Sequence, residues 1–372
     1  MNTVSNLRPF INIGPGYTIK KYLESRGWNQ EDLAQIIDIS PKQLSKIIND
    51  KAHITIKVAK LLADAFSTSA EFWVNLDTQY RLKLEPITDK ETATQIKAKI
   101  RKFMPVSEIR KKGWFSIDNT ASGYESLYEN IWDKKPNDIS IYENCEKKYC
   151  ARQSKTNEEF TNYYSTTWQR IALLKAKTIN VPKYNKDKLH KIIKNYTSYT
   201  VSTNGINEII ADLNQAGIKF LVLSHLTKTY LDGACFYDEE NPVIVYTCRY
   251  DRIDNFWFTL AHEIAHVIKH LSNFKDKYFL DDLTNNDSND QLEKEADEKA
   301  EELLRVEEII TESLQYTKYF SEEKLNIISK KLKIEQSVIL GILQHKGYVD
   351  YRKLNKYKKK VKDKFPSEIN FG

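Results

Sequence analysis

Apolar positions recur at helical spacing through most of the chain. The strongest run spans 256–271, Phe-Trp-Phe-Thr-Leu-Ala-His262-Glu263-Ile-Ala-His266-Val-Ile-Lys-His270-Leu, and predicts a buried helix that Asp254 would cap. Before it, Ile206 to Ala216 reads as an amphipathic helix ended by Gly217. Residues 218–224 read as a buried strand, and 232–237 with 242–246 as a hairpin turning at 238–241. Residues 12–85 predict short helices: one with Ile19, Tyr22 and Leu23 on a face, Gln30 to Ile37 capped by Asn29, Pro41 to Asn49, Ile56 to Phe66 and a fifth capped by Thr68-x-x-Glu71. Ser40 caps the third, Pro41 fits its first position and Gln43 completes a capping box.

Elsewhere the pattern is weaker. Pro86 to Thr94 reads as a linker, and Gln95 to Phe103 as a short basic helix ended by Pro105. A Tyr/Asn-rich stretch and a helical adaptor containing Arg152, Ser154 and Trp168 to Lys175 follow. Residues 273–290 are polar and predict a loop near the mouth of a cleft. Ser321 to Gln344 predicts two more short helices turning at Ile334, which look like a second helix-turn-helix; packing on the preceding domain is favoured over DNA contact, and Lys353 to Lys364 reads as a basic, solvated end. The expected fold is α+β and mostly helical, divided into 1–85, 86–205, 206–312 and 313–372.

Composition narrows the class. A chain of 372 residues with net charge +6 permits nucleic-acid binding without demanding it. The basic stretch from Lys97 to Lys112 reads as a solvated face. No apolar run reaches membrane-spanning length, and Met1 to Phe10 lacks the apolar core of a secretion signal, so a cytoplasmic protein is expected. Cys145, Cys150, Cys235 and Cys248 have no C-x-x-C spacing and are expected as free thiols.

The chemistry concentrates in His262-Glu263-x-x-His266. Histidines four apart share a helix face and can address one metal ion, with Glu263 beside them to exchange protons with water; this is the zincin motif. Catalytic zinc takes three protein ligands. His270 lies about 12 Å of helix rise from His262, too far to join the set, and is better read as a supporting or structural residue. In 291–304, Leu292, Ala296, Ala300, Leu303 and Leu304 form an apolar arc that contains Glu293, with Asp297 at its margin and Glu295, Glu298, Glu301 and Glu302 pointing away. A carboxylate on a core face needs a partner, which makes Glu293 the expected third ligand. Asp297, one turn on, would accept the remaining N–H of a ligating imidazole. These residues, with Asp254 to His270 and Leu292 to Leu304, resemble the ImmA/IrrE metallopeptidase family over about 217–348. The resemblance implies His262, His266 and Glu293 as metal ligands and Glu263 as catalytic acid/base. Lys299 stands where that family often has an aromatic.

In the first segment, two short helices joined by the tight turn Ile37-Asp38-Ile39-Ser40 make a helix-turn-helix arrangement, with Lys42, Gln43, Ser45 and Lys46 facing outward. Such side chains can reach base edges or phosphates. Gly14-Pro15-Gly16, Arg26-Gly27-Trp28 to Ala34, Ile39 to Asn49 and Ser69 to Leu76 resemble the HigA-type antitoxin branch of the Xre/lambda-repressor-like helix-turn-helix family. The resemblance implies Gln30, Ser40 and Asn49 near phosphates and Lys42, Gln43 and Lys46 toward bases. Pro41 and Asp50 depart from the pattern; Asp50 replaces a usual glycine.

Together these features lead to the expectation of a DNA-binding regulator with its own zinc-dependent endopeptidase, Mn²⁺ being the alternative ion. Its partners would be a double-stranded operator and a repressor, antitoxin or toxin protein, with self-cleavage and homodimerisation open. The rival expectation is a non-catalytic antitoxin or repressor whose metal domain senses metal or binds a partner. A secreted protease fits less well, given the DNA-binding segment.

Overall fold

The computed structural model describes residues 12–135, 158–227, 229, 231–271, 279–282, 291–316 and 319–372. The chain divides into two compact units, one ending at Thr92 and one running from Ala93 to Gly372.

The first unit is helical: α1 (Pro15–Arg26), α2 (Gln30–Ile36), α3 (Pro41–Ile48), α4 (Ile56–Phe66) and α5 (Ala70–Leu84). Ile19, Leu33, Leu44, Leu62, Phe66 and Trp73 form its core. Asn29 and Asp32 make a reciprocal capping box on α2. On α3 only half of the expected box forms, with Ser40 Oγ accepting the Gln43 N–H at 3.2 Å. The cap of α5 is Ser69, which accepts the Phe72 N–H at 3.1 Å. Thr68, expected in that role, instead accepts the Trp73 indole N–H at 2.8 Å. The first turn of α1 has no local cap; Asp50, from the far end of α3, accepts the Gly16 N–H at 2.8 Å. The departure at Asp50 thus has a structural use, and Asp50 takes the left-handed φ of 57° where a glycine is usual.

The second unit is built on a four-stranded sheet of β1 (Lys219–Val222), β2 (Leu231–Asp238), β3 (Asn241–Tyr246) and β4 (Phe279–Asp282), in the order β1-β3-β2-β4. β1 and β3 are parallel, while β2 runs antiparallel to both β3 and β4. Alternation along the strands sends two apolar sets to opposite faces. Leu221, Ala234, Phe236, Val243 and Val245 pack with Ile100, Met104, Ile109, Leu127, Trp168 and Ile171. These come from α6 (Asp89–Phe103) and the residue after it, α7 (Val106–Lys111), α8 (Ala121–Trp132) and α9 (Glu158–Ala176), so the residues read as an adaptor form a layer over the sheet. α6 begins within the stretch expected as a linker, because Thr88 and Glu91 cap it reciprocally. Arg152, Ser154, Cys145 and Cys150 lie outside the described residues, while Cys235 and Cys248 are free thiols.

The other face of the sheet carries Phe220, Val222, Cys235, Ile244 and Tyr246, against which α13 (Ile253–Lys269) packs. Between β1 and the middle layer in sequence lie α10 (Lys186–Lys194), α11 (Tyr196–Val201) and α12 (Gly205–Gln215), which flank this core. α13 is buried along most of its length, as a helix apolar on every side must be. Its N-cap is Arg252, not Asp254, which sits in the first turn and pairs with Arg252. α14 (Gln291–Leu303) lies along α13, followed by α15 (Val306–Leu314), α16 (Glu322–Leu332) and α17 (Gln336–His345). Gly341 of α17 stands where a Cβ would lie 2.4 Å from the Asp254 carboxylate, so the glycine permits this close helix crossing. Most lysines of the expected solvated end Lys353–Lys364 are exposed, but the chain is anchored at Val361 and beyond. Val361, Phe365 and Ile369 join the core, Asp251 Oδ1 accepts the Val361 and Lys362 N–H groups at 2.8 Å each, and the Phe371 N–H reaches Val222 O at 2.9 Å. Within the expected loop 273–290, residues 279–282 form β4; the remainder lies outside the described residues.

Candidate metal centre and helix-turn-helix face

α13 carries His262, Glu263 and His266 on buried turns, exposed to only 3%, 1% and 1%. α14 brings Glu293 across to them. His262 Nε2 and His266 Nε2 lie 2.9 Å apart, and Glu293 Oε2 lies 3.3 and 3.4 Å from them. Ligands at zinc distances in a tetrahedron stand about 3.3 Å from one another. The trio therefore fits a tetrahedral divalent ion in both donor chemistry and spacing.

The electrostatics agree with a cation seat. Burial holds the His266 imidazole down at about 4, against the opposing pull of Glu293, so it is neutral and keeps a lone pair to offer. Burial works to raise the Glu293 carboxyl, but the adjoining imidazoles of His262 and His266 outweigh it and hold the group well below the usual carboxylate range. His262 turns its other nitrogen, Nδ1, to Asp297 Oδ1 at 2.9 Å.

Other contacts were not anticipated. His266 Nδ1 lies 3.0 Å from His270 Nδ1, and His270 Nε2 lies 3.3 Å from Glu295 Oε2. The helical period points Glu295 away from the apolar arc. It reaches inward because His270 sits just past the last turn of α13, beside the outer flank of α14 rather than its apolar arc. Gly233 and Cys235, on the face of β2 toward α13, both adjoin Glu263. A Cβ on Gly233 would lie 2.3 Å from Glu263 Oε1. Burial, followed by the charge of Glu263, pushes the Cys235 thiol well up. A glycine inside a strand is a signal of close approach, yet the sequence does not say what approaches.

In the first unit, α2 and α3 are joined through Asp38, which takes a left-handed φ of 50°. Gln30, Ser40, Lys42, Gln43, Lys46 and Asn49 are exposed and Ser45 is half-buried. Asn49 spends one amide donor on Ser45 O at 2.8 Å, and Ser40 Oγ is engaged by the Gln43 N–H. Lys42 and Lys46, one turn apart, stand on the exposed side of α3 while Leu44, Ile47 and Ile48 hold the other side to the core. Among the described residues, no helix is long and apolar enough to cross a membrane.

Residues 19–73 match the helix-turn-helix family, and residues 213–346 match the IrrE N-terminal-like domain of peptidase family M78. An uncharacterized HTH-type transcriptional regulator of Haemophilus influenzae is 40% identical over 63 residues, 17% of this chain and 59% of that protein. Virulence-associated protein A' of Dichelobacter nodosus is 41% identical over 69 residues, 18% of this chain and 60% of its own length. Virulence-associated protein I of the same organism is 30% identical over 96 residues, 26% of this chain and 82% of its own. The first two relatives are thus spanned over less than two thirds of their length, and IrrE-like residues 213–346 lie apart from the helix-turn-helix match. The chain belongs to the Xre-like helix-turn-helix family by its first domain, which is fused to a domain matching the IrrE N-terminal-like domain of peptidase family M78.

Proposed function

We propose that this regulator is a metal-dependent endopeptidase that cleaves a repressor or antitoxin-type protein, or itself, and that its first unit reads an operator in double-stranded DNA. The observation that carries the reading is the convergence of His262 Nε2, His266 Nε2 and Glu293 Oε2 on one point, with Glu263 beside them. A Zn²⁺ or Mn²⁺ ion held there would supply Lewis acidity toward a peptide carbonyl and make water more acidic. His262, His266 and Glu293 are the residues that would hold it. Asp297 orients His262 by accepting from Nδ1, which leaves Nε2 as the lone-pair donor. Glu263 takes a proton from the attacking water onto a carboxylate oxygen and delivers it to the departing amine nitrogen. Gly233 leaves the space that carboxylate occupies.

On the first unit, Lys42, Gln43, Ser45 and Lys46 would reach base edges or phosphates, and Gln30, Ser40 and Asn49 lie toward the backbone phosphates. Cleavage of a repressing partner would couple the two units, with relief of repression as the outcome.

The test is incubation of the full chain with Zn²⁺ or Mn²⁺, alone and with the protein encoded beside it, followed by mass spectrometry of the products. Fragments from one defined bond, lost on chelation, are expected. Intact proteins together with DNA binding that tracks metal would replace the peptidase reading with metal sensing.

A further inference from the structure

α14 does more than contribute Glu293. Its carboxylates also meet the outward nitrogen of each histidine that faces the metal position, one directly and one through an intermediary. Asp297 contacts His262 Nδ1. His266 Nδ1 faces His270 Nδ1 at 3.0 Å, and His270 Nε2 faces Glu295 Oε2 at 3.3 Å. Glu295 is itself held, because Gln291 donates to its other oxygen at 2.8 Å. His270 is 2% exposed and its backbone N–H is tied to His266 O at 2.9 Å, so its ring has a fixed place.

An ionised carboxylate only accepts hydrogen bonds, and a neutral imidazole carries one donor and one acceptor. Those two facts give the chain of contacts a direction. Glu295 accepts, so His270 must carry its proton on Nε2 and present Nδ1 as an acceptor. His266 must then donate from Nδ1, which leaves Nε2 unprotonated toward Glu293. The opposite tautomer of His270 would donate to His266 Nδ1, place the His266 proton on Nε2 and block it as a ligand.

We propose that Glu295 is a positioning residue that acts through His270 to fix the tautomer and orientation of His266 for metal binding. The inference rests on the reading of His262, His266 and Glu293 as ligands. α14 thereby holds the site from its centre and from both outer ends, and a shift of that helix alters the ligand carboxylate and both imidazole supports together.

The test is zinc affinity of the full chain, measured by competition with a chromogenic chelator. Glu295→Ala and His270→Leu weaken zinc binding about ten- to hundredfold, the range for supporting partners of ligating histidines. Glu295→Gln keeps an acceptor for His270 Nε2–H, and His270→Gln keeps an acceptor for His266 Nδ1–H, so both recover to within a few-fold of wild type. A role in packing alone does not distinguish Gln from Ala or Leu in this way. Nitrogen-15 NMR of the histidines in the zinc-loaded wild type supplies a second readout that needs no variant: His270 protonated on Nε2 and His266 on Nδ1. Wild-type affinity in Glu295→Ala and His270→Leu, or His270 protonated on Nδ1, overturns the proposal while leaving the ligand trio intact. Absence of zinc binding by the wild type overturns both it and the reading beneath it.

Discussion

Gly233 and Glu263 occupy space that a larger residue on β2 would not leave: a Cβ at Gly233 would stand 2.3 Å from Glu263 Oε1 and 2.8 Å from Thr259 Cγ2. β2 and α13 meet at this point with no room for a methyl group. Gly233→Ala must therefore push either the strand or the carboxylate. Displacing a reacting group by an ångström costs roughly a hundredfold in rate. The expected result is a kcat lower by about that factor, with zinc affinity within a few-fold of wild type because the three ligands are untouched. Full cleavage activity in Gly233→Ala would remove Glu263 from its assigned position.

Asp50 supplies the first turn of α1 with the cap that its own Gly14 lacks. Losing a helix cap costs about 1 kcal/mol. Asp50→Ala should lower the denaturant midpoint of the first unit accordingly, followed by tryptophan fluorescence. Gly16→Ala should cost more, since its Cβ would stand 2.0 Å from the carbonyl oxygen of Ile48. The reverse order would contradict the packing of α1 on α3.

Lys219 and Asp238 form a buried pair at 2.8 Å across the sheet, and Lys219 also reaches Ala176 O at 3.1 Å. Removing one partner of such a pair strands the other charge and costs about 3–5 kcal/mol. Lys219→Met should destabilise the second unit by that much in chemical unfolding. Joining it to Asp238→Leu should recover most of the loss, and a double variant no more stable than the single one would argue against the pair.

Lys42 and Lys46 are offered on the exposed side of α3. If each neutralises a phosphate, Lys42→Ala and Lys46→Ala each reduce the slope of log K against log salt by about one. Fluorescence anisotropy on a duplex taken from upstream of the protein's own coding sequence measures it. A base contact would instead lower affinity at one sequence position and leave the slope alone.

What the sequence disclosed follows from the range of the interactions involved. The i, i+4 histidines needed only the helical period, and Glu293 needed only the arc of its own helix. The hairpin 231–246 was marked by its alternation and its turn. Contacts made across long sequence distances were not legible. Glu295 was placed on the outer side of α14 by its own helix, and only the position of His270 at the end of α13 shows why it turns inward. Gly233 signals a close approach without naming what approaches, and Cys235 looks like an ordinary strand residue until α13 is laid over it. The lysine-rich stretch after 353 appeared solvated because its anchors are sparse: Val361, Phe365 and Ile369 are single apolar residues among charges, too few to make a period. Asp254 suits a cap by residue type, whereas the backbone starts the helix at Ile253 with Arg252 as its cap.

The central claim is that His262, His266 and Glu293 hold a metal ion that Glu263 puts to use on a peptide bond. The direct measurement is one experiment on wild type and Glu263→Gln in parallel: zinc content per chain, and cleavage of the partner protein over time. Both proteins should carry one zinc, and Glu263→Gln should cut at least about a hundredfold more slowly, as expected for loss of a general base. Equal cleavage by the two, or a wild-type chain that holds no zinc, would contradict the account.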